Sequence, residues 1–394
     1  MSRSRIIFFI VSFVLTFPML AGTLLRAASR EPRPEDDSLY KYLSVFTEVL
    51  GLVRQSYVDA PQMDELMAGA LDGTTDALDP FSIYVPAAEV ERYQEARNLA
   101  WRHSGLTLLK EHGIAYVVAV EKGSPAGKAD VKPGDIVAEI GERNTRTMPL
   151  WEIQEVLAGR PGTKLDVELV RLGEPVQVSF TLEAFQTPAP SVQEVDGVTV
   201  LRIPTFDGGT ASAVQSLLQA NAAQARRGLV VDLRGVSSGD PEAAYAVARL
   251  FAQGDLGALK RRAEELQSYA GNEAPVWQGK MVVLVDRGTL GSAEVLATVL
   301  RQKIKAELVG ERTFGYAGRQ GSADLSSGGR LLFTDAFYTG PDKEPLNKEL
   351  TPDLLVDERS RTYLEKDVPM SELILKRGVR RLLGGEEESE QKVA

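Results

Sequence analysis

Residues 281–297 read Met-Val-Val-Leu-Val-Asp-Arg-Gly-Thr-Leu-Gly-Ser-Ala-Glu-Val-Leu-Ala. The apolar, β-branched run Met281–Val285 is too short for a helix and has no polar alternation, so it predicts a strand buried on both faces. Asp286-Arg287-Gly288 predicts a turn. Ala293, Val295, Leu296, Ala297, Val299 and Leu300 then repeat as the packing residues of a helix. Backbone N–H groups at a strand–turn–helix junction are unpaired and can hold a developing oxyanion. Ser292 stands at that junction and is the residue whose type could supply a nucleophile. Its plainer role is a helix N-cap or first-turn serine, with Glu294 as a helix-start acid.

A serine nucleophile also needs a base and a donor loop. Two stretches are placed to supply them. Gly228-Leu229-Val230-Val231-Asp232-Leu233-Arg234 predicts a second buried strand, followed by Gly235-Val236-Ser237-Ser238-Gly239. Ala306 to Gly310 predicts a third, followed by Glu311-Arg312-Thr313-Phe314-Gly315-Tyr316-Ala317-Gly318-Arg319-Gln320. No lysine lies between Lys305 and Lys343. Tyrosine, with an ordinary pKa near 10, is a poor base at neutral pH, and Arg319 keeps its proton.

These three stretches resemble the site of the carboxy-terminal processing (tail-specific) serine peptidases. The resemblance implies a Ser/Lys dyad with a PDZ domain in front of the protease core. The family's serine, three residues before the glutamate that here is Glu294, falls on Gly291. Its pattern Gly-Glu-x-Thr-Tyr/Phe-Gly-Lys puts the lysine on Tyr316, and the glutamine four residues on is kept as Gln320. Its oxyanion loop, Asp-Leu-Arg-x-Asn-x-Gly-Gly, puts the asparagine on Val236 and the two glycines on Ser238 and Gly239. Leu78-Asp79-Pro80-Phe81-Ser82-Ile83-Tyr84 resembles the family's Leu-Asp-Pro-His-Ser-x-Tyr, and Leu350-Thr351-Pro352-Asp353 its Thr-Pro-Asp turn. The resemblance covers roughly residues 40 to 380.

In front of the core, 101–185 resembles a PDZ domain. Ser104-Gly105-Leu106-Thr107-Leu108 is similar to the carboxylate-binding loop and the strand after it. Gly123-Ser124-Pro125-Ala126-Gly127-Lys128-Ala129 and Val131-Lys132-Pro133-Gly134-Asp135-Ile136-Val137 match the pattern of the exported proteases. Pro149 to Ala158 predicts the helix that walls a peptide groove. A peptide adds to such a groove as an extra strand. Gly105, Leu106, Thr107 and Leu108 are the candidate edge, and Leu106, Leu108, Ile153 and Leu157 the candidate pocket for the last side chain. For these apolar residues the competing role is ordinary core packing.

The elements around these motifs give a mixed α/β protease core at 186–380, an inserted β-rich PDZ domain and an N-terminal helical region at 31–100. Apolar residues recur at helical spacing from Leu39 to Val58, a second helix is expected from Met63 to about Leu78, and Glu31–Ser38 reads as a linker. The acidic stretch at 381–394 reads as a disordered tail. Arg3 and Arg5 precede an uncharged apolar run over 6–25, long enough to cross a bilayer, which takes about 20 residues. An uncleaved anchor over 1–30 is favoured above a cleaved signal. Either places the remainder outside the cytoplasm, on the periplasmic face of an inner membrane.

Composition narrows the function further. Of 394 residues, 43% are apolar and 25% charged, as in a globular protein with a sizeable core. The net charge of −10 speaks against a nucleic-acid partner. No cysteine and two histidines exclude thiol chemistry and leave little for a transition metal; no cofactor or metal is expected. A triad built on His103 or His112 is disfavoured, since both lie in or beside the PDZ region. The expectation is a catalytically degenerate member that binds protein C-termini or extended peptides, with an active envelope protease as a candidate partner. The alternative is an active serine peptidase using Ser292 and an unidentified base.

Overall fold

The structure is a computed structural model, and it describes residues 34–97, 103–222, 228–362 and 365–384. The apolar run over 6–25 and the acidic residues 386–390 lie outside the described residues. Among the described residues no helix is long and apolar enough to cross a membrane.

Two helices come first, α1 (Pro34–Ser56) and α2 (Met63–Asp76). The segment 31–38, expected as a linker, is already helical from Pro34. Proline suits the first turn of a helix, where its missing N–H would have had no partner. Strand β1 (Ile83–Val85) and helix α3 (Val90–Arg97) follow.

The next element group is a β-rich unit: β2 (Leu106–Glu111), β3 (Ile114–Val120), the one-turn α4 (Pro125–Lys128), β4 (Ile136–Ile140), β5 (Arg143–Asn144), α5 (Leu150–Leu157), β6 (Lys164–Arg171) and β7 (Glu174–Thr181). Its sheet runs β2-β3-β4-β6-β7, so β2 is an edge strand. Ser124 caps α4 through its Oγ, 3.1 Å from Gly127 N. Gly105 has φ 77°, and a Cβ there would stand 2.0 Å from Ser124 Cβ. The loop in front of β2 therefore closes only over glycine.

The core then alternates β8 (Ser191–Val195), β9 (Val198–Arg202), α6 (Thr210–Ala220), β10 (Leu229–Asp232), α7 (Pro241–Ala248), β11 (Gly254–Arg261), β12 (Glu264–Gly271), β13 (Met281–Val285), α8 (Ser292–Ile304), β14 (Glu307–Gly310), β15 (Gly318–Asp324), β16 (Arg330–Tyr338), β17 (Leu354–Leu355) and α9 (Met370–Leu382). Its central sheet has the order β17-β14-β13-β10-β9-β8. β9, β10, β13, β14 and β17 are parallel, with Val231 opposite Leu201 and Val283. A second sheet, β1-β16-β11-β12 with β15 on β16, lies beside it.

Both faces of the central sheet are covered, which is why its strands are continuously apolar. Val231, Val283, Val285 and Leu308 pack with residues of α6, α7 and α8. Val200, Val230, Val282, Leu284 and Val309 pack with Leu373, Ile374, Val379 and Leu382 of α9. Helix α9, the β11–β12 hairpin, β8 and β15 were not legible in the sequence. The exposed, charged face of the hairpin (Glu264, Glu265) masks its alternation. The parallel strands β10, β13 and β14 all end on one side, where binding sites of α/β sheets lie, and the three stretches singled out above are the loops leaving those ends.

Helix α9 sits close on β13. A Cβ on Gly378 would stand 2.3 Å from Leu284 Cδ2. Gly378→Ala is therefore expected to destabilise the chain by roughly 1–3 kcal/mol through overpacking, read as a lower urea midpoint with an unchanged m-value. Stability equal to or above that of the parent would mean that α9 docks more loosely than this.

Candidate active site

Loop 286–291, between β13 and α8, is fixed by Asp286. One oxygen, Oδ1, accepts from Gly235 N at 2.7 Å, Gly288 N at 3.0 Å and Thr289 Oγ1 at 3.1 Å. Burial pushes the Asp286 carboxyl up, against these hydrogen bonds and the nearby Arg234. Thr289 Oγ1 also lies 3.0 Å from Leu233 O, its one proton being shared between that carbonyl and Asp286, and Leu290 N donates to Val236 O at 2.9 Å. The loop after β10 and the loop after β13 are thus one hydrogen-bonded unit.

Gly291 ends the turn with φ 62° and ψ −111°. A residue with a side chain adopts this conformation only under strain. There is room for one: a Cβ on Gly291 would meet only Tyr316 O, at 3.8 Å. The sharp turn that would expose a nucleophile is present, and its residue carries no side chain. Ser292 is the first residue of α8. It is 3% exposed, and its Oγ is buried without a hydrogen-bond partner. The expected capping bond is not made, and no base reaches the hydroxyl.

Glu294 organises the rest. Its carboxylate is buried and accepts from Gly315 N at 2.6 Å, Tyr316 N at 2.9 Å and Gly291 N at 3.0 Å, and from the Thr313 hydroxyl. One side chain therefore pins Gly291 beside Tyr316. Burial pushes Glu294 up to about 7, against those four donors.

Tyr316 occupies an aromatic cluster. Its ring lies 4.2 Å from that of Phe81, tilted by 32°, and 5.6 Å edge-on from Phe337. Phe314 meets Phe81 edge-on at 5.8 Å. The Tyr316 hydroxyl bonds to Thr334 Oγ1, and burial holds its pKa far above the ordinary value for tyrosine. Such a phenol is not a base at neutral pH. Gln320 does not reach the turn. It donates from Nε2 to Phe81 O at 2.6 Å. Asp79 forms the turn that presents Phe81, accepting from Phe81 N, Ser82 N and Ser82 Oγ at 2.8–2.9 Å.

In the donor loop, Ser238 Oγ donates to Thr205 Oγ1 at 3.2 Å. Gly239, at φ 119°, cannot be replaced, because a Cβ would lie 2.5 Å from the backbone N and O of Phe206. Ser237 Oγ lies 2.9 Å from Thr107 Oγ1 of β2, which ties the loop to the β-rich unit. Beside this contact is a cleft of about 440 Å³. Its walls include Leu106, Thr107, Leu108 and Leu157 on one side, Ser237, Ser238 and Gln320 on the other, and Tyr93 of α3.

Comparison with known proteins bears on this arrangement. Residues 197–356 match peptidase family S41, and residues 116–171 match a PDZ domain. The chain thus carries a domain of the peptidase family S41 type behind a PDZ domain. Carboxy-terminal processing protease CtpA of Bacillus subtilis is 26% identical over 80% of this chain and 70% of its own length. The carboxy-terminal-processing protease of Bartonella bacilliformis is 23% identical over 98% of this chain and 90% of its own. The photosystem II D1 C-terminal processing protease has the same fold, with a TM-score of 0.66 and 24% identity over 86% of this chain and 90% of that one.

Within this S41 fold the sequence candidates do not all meet. Gly291, Tyr316, Ser238 and Gly239 lie on the loops at one end of the central sheet. Of the candidate groove residues, Leu106, Thr107, Leu108 and Leu157 line the cleft. Ile153, fully buried among the PDZ core residues, packs rather than lines, and Gly105 shapes the loop before β2. Phe81, Thr334, Phe337, Ser237 and Tyr93 were missed. Only Phe81 carried a sequence signal, standing where the related segment has histidine. Among the described residues no group of three or more His, Asp or Glu could hold a metal ion.

Two outcomes follow. Ser292→Ala removes a buried hydroxyl that bonds to nothing, so it is expected to leave stability unchanged or raise it by up to about 1 kcal/mol; a loss above ~1 kcal/mol in urea unfolding would show that the hydroxyl has a partner. The Glu294 proton is held more tightly folded than unfolded, so its contribution is full below about pH 4.5 and is lost as pH rises through about 7. Relative to Glu294→Gln, the parent should lose on the order of 3 kcal/mol between pH 4.5 and 8; a flat difference across that range would contradict the raised pKa.

Proposed function

We propose that this chain is a peptide-binding pseudo-peptidase. It takes protein C-termini or extended segments into the cleft between the PDZ edge strand and the donor loop and does not cut them. The observation that carries this reading is the pair of positions pinned by Glu294. Gly291 offers no nucleophile, and Tyr316 is locked among Phe81, Phe337 and Thr334. Removing members of a catalytic unit costs many orders of magnitude in rate. The aromatic packing adds a further obstacle, since it fills the space in which a base would have to stand.

The rest of the reading comes from the sequence. The chain is exported, held at the periplasmic face of an inner membrane by residues 6–25 or released to the periplasm if that segment is cleaved. It acts in envelope protein processing or quality control, as a holder of substrates or as an adaptor for an active protease. A serine peptidase built on Ser292 finds no support in the buried, unpartnered Oγ.

The test is covalent labelling of the full chain in detergent with a serine-reactive phosphonofluoridate, read by intact mass beside a casein cleavage assay. The expected result is no mass shift and no cleavage above that of Ser292→Ala. A label mapping to Ser292, with cleavage lost in Ser292→Ala, would overturn the pseudo-peptidase reading.

A further inference from the structure

The cleft of about 440 Å³ carries a charge of one sign only. Beside the Tyr93 phenol, its polar lining is Arg97, Thr107, Gln154, Ser237, Ser238 and Gln320, with no aspartate or glutamate among the lining residues. The chain as a whole has the opposite balance, 55 acidic against 45 basic side chains. Most of the polar lining is already engaged. Thr107 and Ser237 bond to each other, Ser238 to Thr205, and Gln320 to Phe81 O. Arg97 and Gln154 make no hydrogen bond or ion pair among the described residues.

Helix α3 places Arg97. The residue ends that helix, one turn after Tyr93 and on the same face. Tyr93 shares an apolar cluster with Leu106 and Leu108 of β2 and Leu157 of α5. Arg92 fixes α3 on α5, donating from Nε and Nη2 to the two carboxylate oxygens of Glu155 at 2.8 and 2.6 Å. Such a bidentate pair sets orientation as well as charge. Burial pushes the Tyr93 hydroxyl up, and Arg97 and Arg330 pull it back down, so both guanidinium groups stand near it. Arg330 is paired, with Nε 2.7 Å from Asp324 Oδ1. Arg97 has no such carboxylate, and the protein leaves its charge for a ligand to meet.

The loop before β2 is the part suited to the terminal carboxylate of a peptide added to that strand, which leaves Arg97 for a side chain. Resting on the peptide-binding reading above, we infer that the cleft selects extended peptides with an acidic side chain upstream of their last residue, that Arg97 reads this charge, and that the Gln154 amide is a second donor. A carboxylate can accept from both groups. A lysine at the same place meets a like charge beside apolar walls, where repulsion is stronger than in open water.

The test uses the full chain in detergent and fluorescent peptides of one sequence and one last residue, with Glu, Gln or Lys at each of the four preceding positions and binding read by anisotropy. Side chains of an extended peptide alternate between faces, so the effect is expected at one position or at two positions two apart. There the parent should bind the Glu peptide about tenfold more tightly than the Lys peptide at about 50 mM salt, and the gap should shrink to about threefold or less at about 0.5 M. Arg97→Gln should bring the two peptides to within about threefold at low salt, and Arg97→Glu should reverse their order. Arg97 is exposed and pairs with no described residue, so both variants are expected to keep the parental urea midpoint. Equal binding of the Glu, Gln and Lys peptides by the parent at every position, or an order unchanged in Arg97→Glu, overturns the role of Arg97 while leaving peptide capture in place. If no peptide binds the parent at millimolar concentration, peptide capture itself fails and this inference fails with it.

Discussion

The end of the central sheet depends on one buried carboxylate. Glu294 sits in the first turn of α8 and receives hydrogen bonds from the turn before it and from the loop after β14. An ionised group this deep is costly unless every lone pair is engaged, and four donors converge on it. The geometry is over-determined as a result. Gly291 and Tyr316 keep their relative positions even though neither carries the group that the family resemblance assigns there. Scaffold and chemistry are separable in this fold because the residues that shape the site differ from the residues that would react in it.

At the two positions where the resemblance expects a lysine and a histidine, the structure shows packing. Tyr316 stands where the resemblance expects lysine, and Phe81 where it expects histidine, and the two rings lie against each other. A desolvated lysine and an imidazole are each expensive to bury. Two aromatic rings in contact are favourable, worth about 0.5–1.5 kcal/mol beyond their buried area. The two substitutions make sense as a pair, since either ring alone would lack its main partner. Gln320 is retained in type but now donates to the backbone of Phe81, so an unchanged residue serves a changed neighbourhood.

Most of the architecture was readable from local signals. The apolar runs at 229–233, 281–285 and 306–310 have no polar alternation because both faces of the sheet are covered, and the glycine and proline punctuation of the PDZ region marks turns with a steric reason. What escaped was decided by distant partners. The β11–β12 hairpin carries charges on its open face and shows its alternation weakly. Ile153 looked like a pocket residue because helical spacing cannot tell a groove-facing position from a core-facing one a turn away. Tyr93 could not be assigned to the cleft at all, since nothing in 90–97 indicates that this helix lies on α5. Ser292 was expected as the helix N-cap or as a first-turn serine; Gly291 takes the cap position, Ser292 opens the first turn, and its hydroxyl is buried.

The contact between Thr107 and Ser237 makes the PDZ edge and the donor loop adjoining walls of a single cleft. On the proposed reading, a peptide lying there leaves only by dissociating, since no bond would be made or broken to drive it out. Its fate is then governed by a lifetime, the inverse of an off-rate, instead of a turnover number. Aromatic and aliphatic walls that lengthen this lifetime would slow product release in a peptidase. In a protein that holds its ligand they lengthen the interval during which another molecule can act on the captured chain.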